Sequence, residues 1–157
     1  MRRKDKEITD IKQSEDILCR GRFCHLAMAS GNDPYIVTVN YGYKDNCIYF
    51  HSAPGGQKLD MIKNNPKVCF MIYVDDVLIG GKDPCNDWTM KYRSVIGYGT
   101  ATFLKTEAEK IEGLTLLMEH YSKKISFEFD KVNLRKTTVV KIEIETITGK
   151  VSGYEKE

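Results

Sequence analysis

Apolar and polar positions along this chain recur with two different periods, and the switches between them mark out strands separated by short helices. The opening stretch sets Ile8, Ile11, Ile17 and Leu18 at loosely helical spacing. With Thr9, Asp10 or Ser14 available as a cap, it predicts one short helix ending before Gly21. From Arg22 the pattern becomes that of a strand over 23–29, closed by a turn cluster that runs from Ser30 through Gly31 to Pro34. A second strand over 35–41 is expected to fold back beside it. Lys44, Asp45 and Asn46 then turn the chain into a third strand over 47–53, so the reading is an antiparallel meander of three.

Pro54, Gly55 and Gly56 break that strand, and Leu59, Ile62 and the stop at Asn64, Asn65 and Pro66 predict a short helix with Lys58 in its first turn. A fourth strand is expected over 67–74, then a polar loop over 75–87 holding Gly80, Gly81 and Pro84, mobile or covering something. The fifth strand, 91–104, is long. Gly97 and Gly99 within it predict a bulge, a strong bend or the close approach of a cofactor or a neighbouring chain, and bending is what barrel closure requires. Thr106 and Glu109 fit a capping box, followed by an apolar helical stripe of Ile111, Leu114, Leu117, Met118 and Tyr121 that reads as core. Val140, Ile142 and Ile144 alternate with Lys141, Glu143 and Glu145, the period of a strand with one wet face. Six strands with intervening helices, and no repeat or linker, imply one α+β domain over 1–157 built on a small barrel.

Composition narrows the partners. The 24 basic and 22 acidic residues give a net charge of +2, too small an imbalance to indicate a nucleic-acid or membrane surface. No apolar run approaches the roughly 18 residues of a membrane helix, and the basic start is followed by charge rather than a signal-type stretch, so the expectation is a cytoplasmic protein. Cys19, Cys24, Cys47, Cys69 and Cys85 form no CxxC pair and no metal-finger spacing with His25, His51 or His120. No metal is expected, and the thiols read as reduced, mostly small buried hydrophobes in strands, with His25 and His120 structural.

Three segments in order carry a resemblance: PYIVTVNYGY at 34–43, IYFHSAPGGQKLD at 48–60 and NPKVCF at 65–70, joined by YRSVIGYG at 92–99. Together they resemble the pyridoxamine 5′-phosphate oxidase-like flavoproteins, most closely the nitroimidazole-resistance-type branch, over nearly the whole chain. The resemblance implies a six-stranded antiparallel split β-barrel with flanking helices, a homodimer, and one FMN in each of two grooves between subunits. By that resemblance Thr38, Val39 and Asn40 line the flavin ring from one strand, and Ser94 and Val95 from another. A flavin phosphate needs a cation and several donors, which the strand end with His51, Ser52 and Ala53, the glycine break and Lys58 would supply. Trp88, Tyr92 and Arg93 could cover the flavin or the partner's groove, or simply pack.

The chain departs from the vitamin B6 oxidases proper. Tyr35 stands where their flavin strand begins with an arginine, and the tail over 149–157 lacks their arginine-rich pattern, so oxidation of that vitamin is not expected. Two functions follow. One is an FMN-dependent oxidoreductase that reduces a small planar acceptor such as a nitroaromatic, with electrons from a nicotinamide donor or another reductant. The alternative is a non-catalytic module storing or sensing flavin or haem, with His51 as an axial ligand.

Overall fold

The computed structural model describes residues 2–124 and 126–155; Met1 of the basic start and Lys156 and Glu157 of the tail lie outside the described residues. In chain order the elements are β1 (Glu7–Ile8), α1 (Ile11–Arg20), β2 (Cys24–Ser30), β3 (Asp33–Val39), β4 (Gly42–Lys44), β5 (Cys47–Ser52) and α2 (Gln57–Asn64). There follow β6 (Lys67–Ile79), α3 (Pro84–Asp87), β7 (Thr89–Leu104), α4 (Glu107–Tyr121), α5 (Lys131–Arg135) and β8 (Thr138–Ser152).

All strand pairs are antiparallel, in the order β3-β2-β6-β7-β8-β5-β4, with β1 added along the second half of β8. The end strands β3 and β4 are consecutive in the chain, joined only by Asn40 and Tyr41. A sheet whose two ends are two residues apart has to curl round until they meet, leaving one unpaired seam between β3 and β4. That is the α+β split barrel expected from the sequence, with eight strands in place of six.

The local differences have physical causes. The expected meander of three does not form, because the strand read over 35–41 breaks at Asn40; its first part pairs with β2, while β4 pairs with β5 at the far end of the sheet. Asp45 and Asn46 take positive φ in the tight β4–β5 turn, as their short polar side chains allow. The loop over 75–87 is shorter than expected: β6 continues to Ile79 past a bulge at Asp75 and Asp76, and Asp83 caps the one-turn helix α3 through Cys85 N–H. The last strand spans fifteen residues, more than twice its alternating stretch.

Inside the barrel, alternate residues of the long strands meet: Leu26, Phe70, Ile72, Val95 and Ile142 are fully buried with Tyr41 and Phe50. Phe70 explains Gly97, since a β-carbon there would lie 2.2 Å from its ring; the group that comes close is a core side chain rather than a cofactor or a neighbouring chain. The bulge beside Gly99 is on β8, where Glu145 is the extra residue. Helix α1 is capped by Asp10, and α4 has the expected capping box of Thr106 and Glu109. The buried face of α4 is Gly113, Leu114, Leu116 and Leu117; Ile111 and Tyr121 at the edges of the predicted stripe are exposed. Cys24 and Cys47 are buried in strands and Cys69 partly so, whereas Cys19 and Cys85 are exposed and helical.

Helix α4 seats on β4 by close backbone contact. A β-carbon on Gly42 would stand 2.5 Å from the Leu116 carbonyl oxygen and 2.8 Å from Leu117 N, atoms that cannot rotate away. Gly42→Ala is therefore expected to lower the unfolding free energy by about 1–3 kcal/mol in a denaturant titration. An unchanged midpoint and slope would show that α4 is not held at this distance.

Candidate functional site

Strand alternation sorts the predicted site residues into two sets. Thr38 on β3 is exposed on the outer face; Ser94 on β7 lies on that side by alternation but is buried, with 7% of its surface exposed, whereas Val39 and Val95 point into the core, Val95 with no exposed surface. β7 is paired on both sides, with Val95 opposite Ile72 and Gly149, so the side chain of Val95 is closed off by the core and its backbone lies inside two ladders. The outer face is ordered by register: Thr38, His25, Met71, Ile96 and Thr148 stand in one row across five strands, and Tyr73, Ser94 and Lys150 in the next. Thr38 Oγ1 lies 3.2 Å from His25 Nδ1, and the His25 ring stacks parallel on Tyr73 with centroids 5.7 Å apart. A groove of about 350 Å³ is lined by Arg22, Phe23, Tyr73 and Asp76, Tyr73 being the residue that pairs with Ser94. Lys150 donates to the Tyr92 hydroxyl at 2.6 Å on the same face.

The second set gathers where β5 runs into α2. His51 and Ser52 end β5 opposite Val139 and Thr138, and Ala53 follows in the exposed link. Gly56, at φ 125°, opens α2 with no side chain capping it, and the space around Gly55 and Gly56 is open. The free N–H groups and positive end of a helix start favour an anion. Lys58 is half-buried in the first turn and, among the described residues, has no hydrogen bond or ion pair. His51 still reaches solvent. The protein around its ring pushes its pKa below the ordinary 6.5, and the Lys58 ammonium adds to the shift. An unpaired, half-buried ammonium, a neutral imidazole and an uncapped helix start make a fitting cradle for a phosphate group.

A family model described as pyridoxamine 5′-phosphate oxidase matches residues 10–151. The chain belongs to that family. Among solved structures, a candidate 5-nitroimidazole antibiotic resistance protein from Bacteroides thetaiotaomicron superposes with a TM-score of 0.82 at 28% identity, over 92% of this chain and 86% of that one. A flavocytochrome from Azotobacter vinelandii (TM-score 0.83, 18% identity, 100% and 75% covered) shares the fold. So does an FAD- and haem-binding protein from Mycobacterium smegmatis (TM-score 0.83, 15% identity, 97% and 76% covered). An uncharacterised protein of Rhizobium meliloti is 34% identical over 61 residues, 39% of this chain and 40% of that protein; the match thus spans less than half the curated relative's length.

In this pyridoxamine 5′-phosphate oxidase family member the sequence reading took His25 as structural and gave Phe23 and Tyr73 no part in the site; all three stand with Thr38 on the outer face or in its groove. The available signal was the alternation of β2, which sets Phe23, His25 and Ala27 opposite in face to the buried Cys24, Leu26 and Met28. His120, by contrast, is structural, its Nε2 being 2.7 Å from the Gly21 carbonyl oxygen.

Because the folded pKa of His51 is depressed, the unfolded chain takes up this proton first. Its contribution to stability is complete above pH 6.5 and is lost as pH falls from there through the folded pKa. An NMR titration of His51 should give a midpoint below 6.5, and Lys58→Met should move it part of the way back, since burial is the larger cause. A midpoint that ignores Lys58 would separate the two side chains.

Proposed function

We propose that this chain is a flavoprotein of the pyridoxamine 5′-phosphate oxidase family that holds FMN and passes electrons to a small planar acceptor such as a nitroaromatic. The observation that carries the reading is Lys58, half-buried and without an acidic partner among the described residues, in the first turn of the uncapped α2. Lys58, the α2 N–H groups and Ser52 would hold the phosphate, while Thr38, Asn40 and Ser94, with backbone groups at Val39, would face the ring. Several structural neighbours are described as flavin-binding proteins, two of them also as haem-binding or as a cytochrome. Bound flavin supplies the redox chemistry; the protein groups bind, orient and shield it. His51, neutral at physiological pH, accepts a hydrogen bond rather than adding a second positive charge. A nicotinamide cofactor is the proposed electron donor.

The ring-facing residues lie on an outer sheet face that carries Ile36, Met71, Tyr73, Ile96 and Tyr98, all exposed. Apolar surface of this extent, rimmed by Lys67, Glu145 and Lys150, supports a homodimer with the flavin between subunits. Light scattering should give twice the chain mass of 18.0 kDa; a monomer that binds FMN at full strength would remove the partner from the site.

A neutral, solvent-reaching imidazole at His51 also suits an axial haem ligand. The absorption spectrum of the purified protein separates the readings: flavin bands support the proposal, and a Soret band with no flavin supports the alternative. For the phosphate site, Lys58→Ala removes a charge-assisted hydrogen bond of about 1.5–3 kcal/mol, so FMN should bind roughly ten- to a hundredfold more weakly while riboflavin, which lacks the phosphate, is nearly unaffected. Equal losses for both, or none for FMN, would take the phosphate away from Lys58.

A further inference from the structure

The groove along Arg22, Phe23, Tyr73 and Asp76 carries side chains that neither the core nor the flavin reading employs. Its volume of about 350 Å³ lies near the lower end of small-molecule sites, which suits one nucleoside with its phosphates rather than two. Two aromatic rings stand open along it, Phe23 with 49% and Tyr73 with 42% of its surface exposed. Rings presented in this way offer a flat heteroaromatic base a face to stack on. Tyr73 is steadied by the His25 ring, which lies parallel to it with centroids 5.7 Å apart.

The same groove holds one cation and one carboxylate to spare. Among the described residues, the side chains of Arg22 and Asp76 make no hydrogen bond or ion pair, whereas their neighbours Arg20 and Asp75 bond to each other. Asp75 accepts from two guanidinium nitrogens of Arg20, at 2.8 and 3.0 Å, and from one of Arg93 at 3.0 Å. Its carbonyl accepts from the Tyr154 hydroxyl, and the Arg93 guanidinium lies over the Tyr154 ring. This grip holds Asp75 at φ 58°, a left-handed conformation that costs a residue with a side chain energy. The bulge fixed in this way sets Asp76 at the groove.

An aromatic wall, a free guanidinium and a free carboxylate are the three groups that recognise a nucleotide. The rings stack on the base, the guanidinium pairs with phosphate, and the carboxylate accepts from a ribose hydroxyl. A carboxylate in that place repels a phosphate carried on the ribose, so it selects a nucleotide whose 2′-hydroxyl is free. Tyr73 pairs with Ser94 on the next strand, about 5 Å away, and Ser94 belongs to the part of the sheet proposed to face the flavin ring. A nucleotide seated in the groove thus leaves the remainder of a dinucleotide beside that ring.

We propose that the groove of Arg22, Phe23, Tyr73 and Asp76 seats the adenosine diphosphate half of the nicotinamide donor, and that Asp76 selects the donor with a free 2′-hydroxyl. The proposal rests on the nicotinamide donor named above and gives it a seat and a class. ADP-ribose, which has the adenosine and the diphosphate but no nicotinamide, is the probe, titrated calorimetrically into the purified protein. It should bind, and its 2′-phosphorylated form should bind at least about tenfold more weakly. Phe23→Ala and Arg22→Gln, both at exposed positions, should each weaken ADP-ribose about tenfold, as the loss of one stacked ring or one charge-assisted bond does. Asp76→Asn should bring the two probes to nearly equal affinity. FMN binding should be unchanged in Arg22→Gln and Asp76→Asn. Flavin bands without ADP-ribose binding, or binding that ignores all three substitutions, overturn the groove and leave the flavoprotein standing. Equal or tighter binding of the 2′-phosphorylated form overturns the role of Asp76. A protein without flavin that binds ADP-ribose through these residues keeps the groove and overturns the flavin reading.

Discussion

Two residues, Asn40 and Tyr41, decide the shape of this protein. They carry the chain from β3 to β4, the opposite ends of the sheet, and in doing so close it. The closure is held from several sides: the buried Tyr41 hydroxyl donates to the Leu18 carbonyl at 2.6 Å, and Tyr41 N–H donates to the Tyr121 hydroxyl at 3.1 Å. Tyr41 thereby ties the seam to the end of α1 and to the end of α4 at once. Gly21 leaves room for it, since a β-carbon there would fall 2.6 Å from the Tyr41 hydroxyl. Loss of such a buried acceptor's partner costs about 1–3 kcal/mol, a large share of a small domain's stability.

Once the sheet is closed, each strand residue either fills the barrel or is left for other work. Phe70, Ile72 and Val95 go inside; Met71, Tyr73 and Ile96 come out. The candidate site follows from this division. The part proposed to face a flavin ring occupies the outer rows of the sheet, and the part proposed for a phosphate uses the place where β5 stops and α2 begins, where glycines leave backbone N–H groups without a cap. One part depends on register and the other on a chain break, so a one-residue slip of β3 would displace Thr38 without disturbing Lys58.

Much of this was legible in the sequence. Local signals worked where local physics decides: Thr106 with Glu109, the stop at Pro66, the turn at Asp45 and Asn46, and the glycines before Lys58 all act as their residue types predict. The pairing of strands was harder to read, because whether β3 continues to β5 or breaks at Asn40 depends on partners far along the chain, chiefly β8. Gly97 was misleading for the same reason: the Phe70 ring it accommodates sits on a different strand. Thr38 and Ser94 were named only through the family resemblance, and their neighbours His25 and Tyr73 emerge only when β2 and β6 are set side by side.

The bulge at Asp75 and Asp76 sets the reading frame of everything beyond it. Before it, odd-numbered residues of β6 face outward; after it, Leu78 does, opposite Met90. Removing one residue there would leave β7 unchanged but turn Leu78 to the other face of the ribbon that β6 and β7 form beyond the bulge, and bring Val77 and Ile79 into its place. Substitutions along the ribbon would change its surface by degrees, whereas a single-residue deletion would exchange the whole face at once. The positive-φ Asp75, held by Arg20 and Arg93, is thus a parity mark in the strand, and descendants of this chain would be expected to vary the ribbon's side chains far more freely than its length.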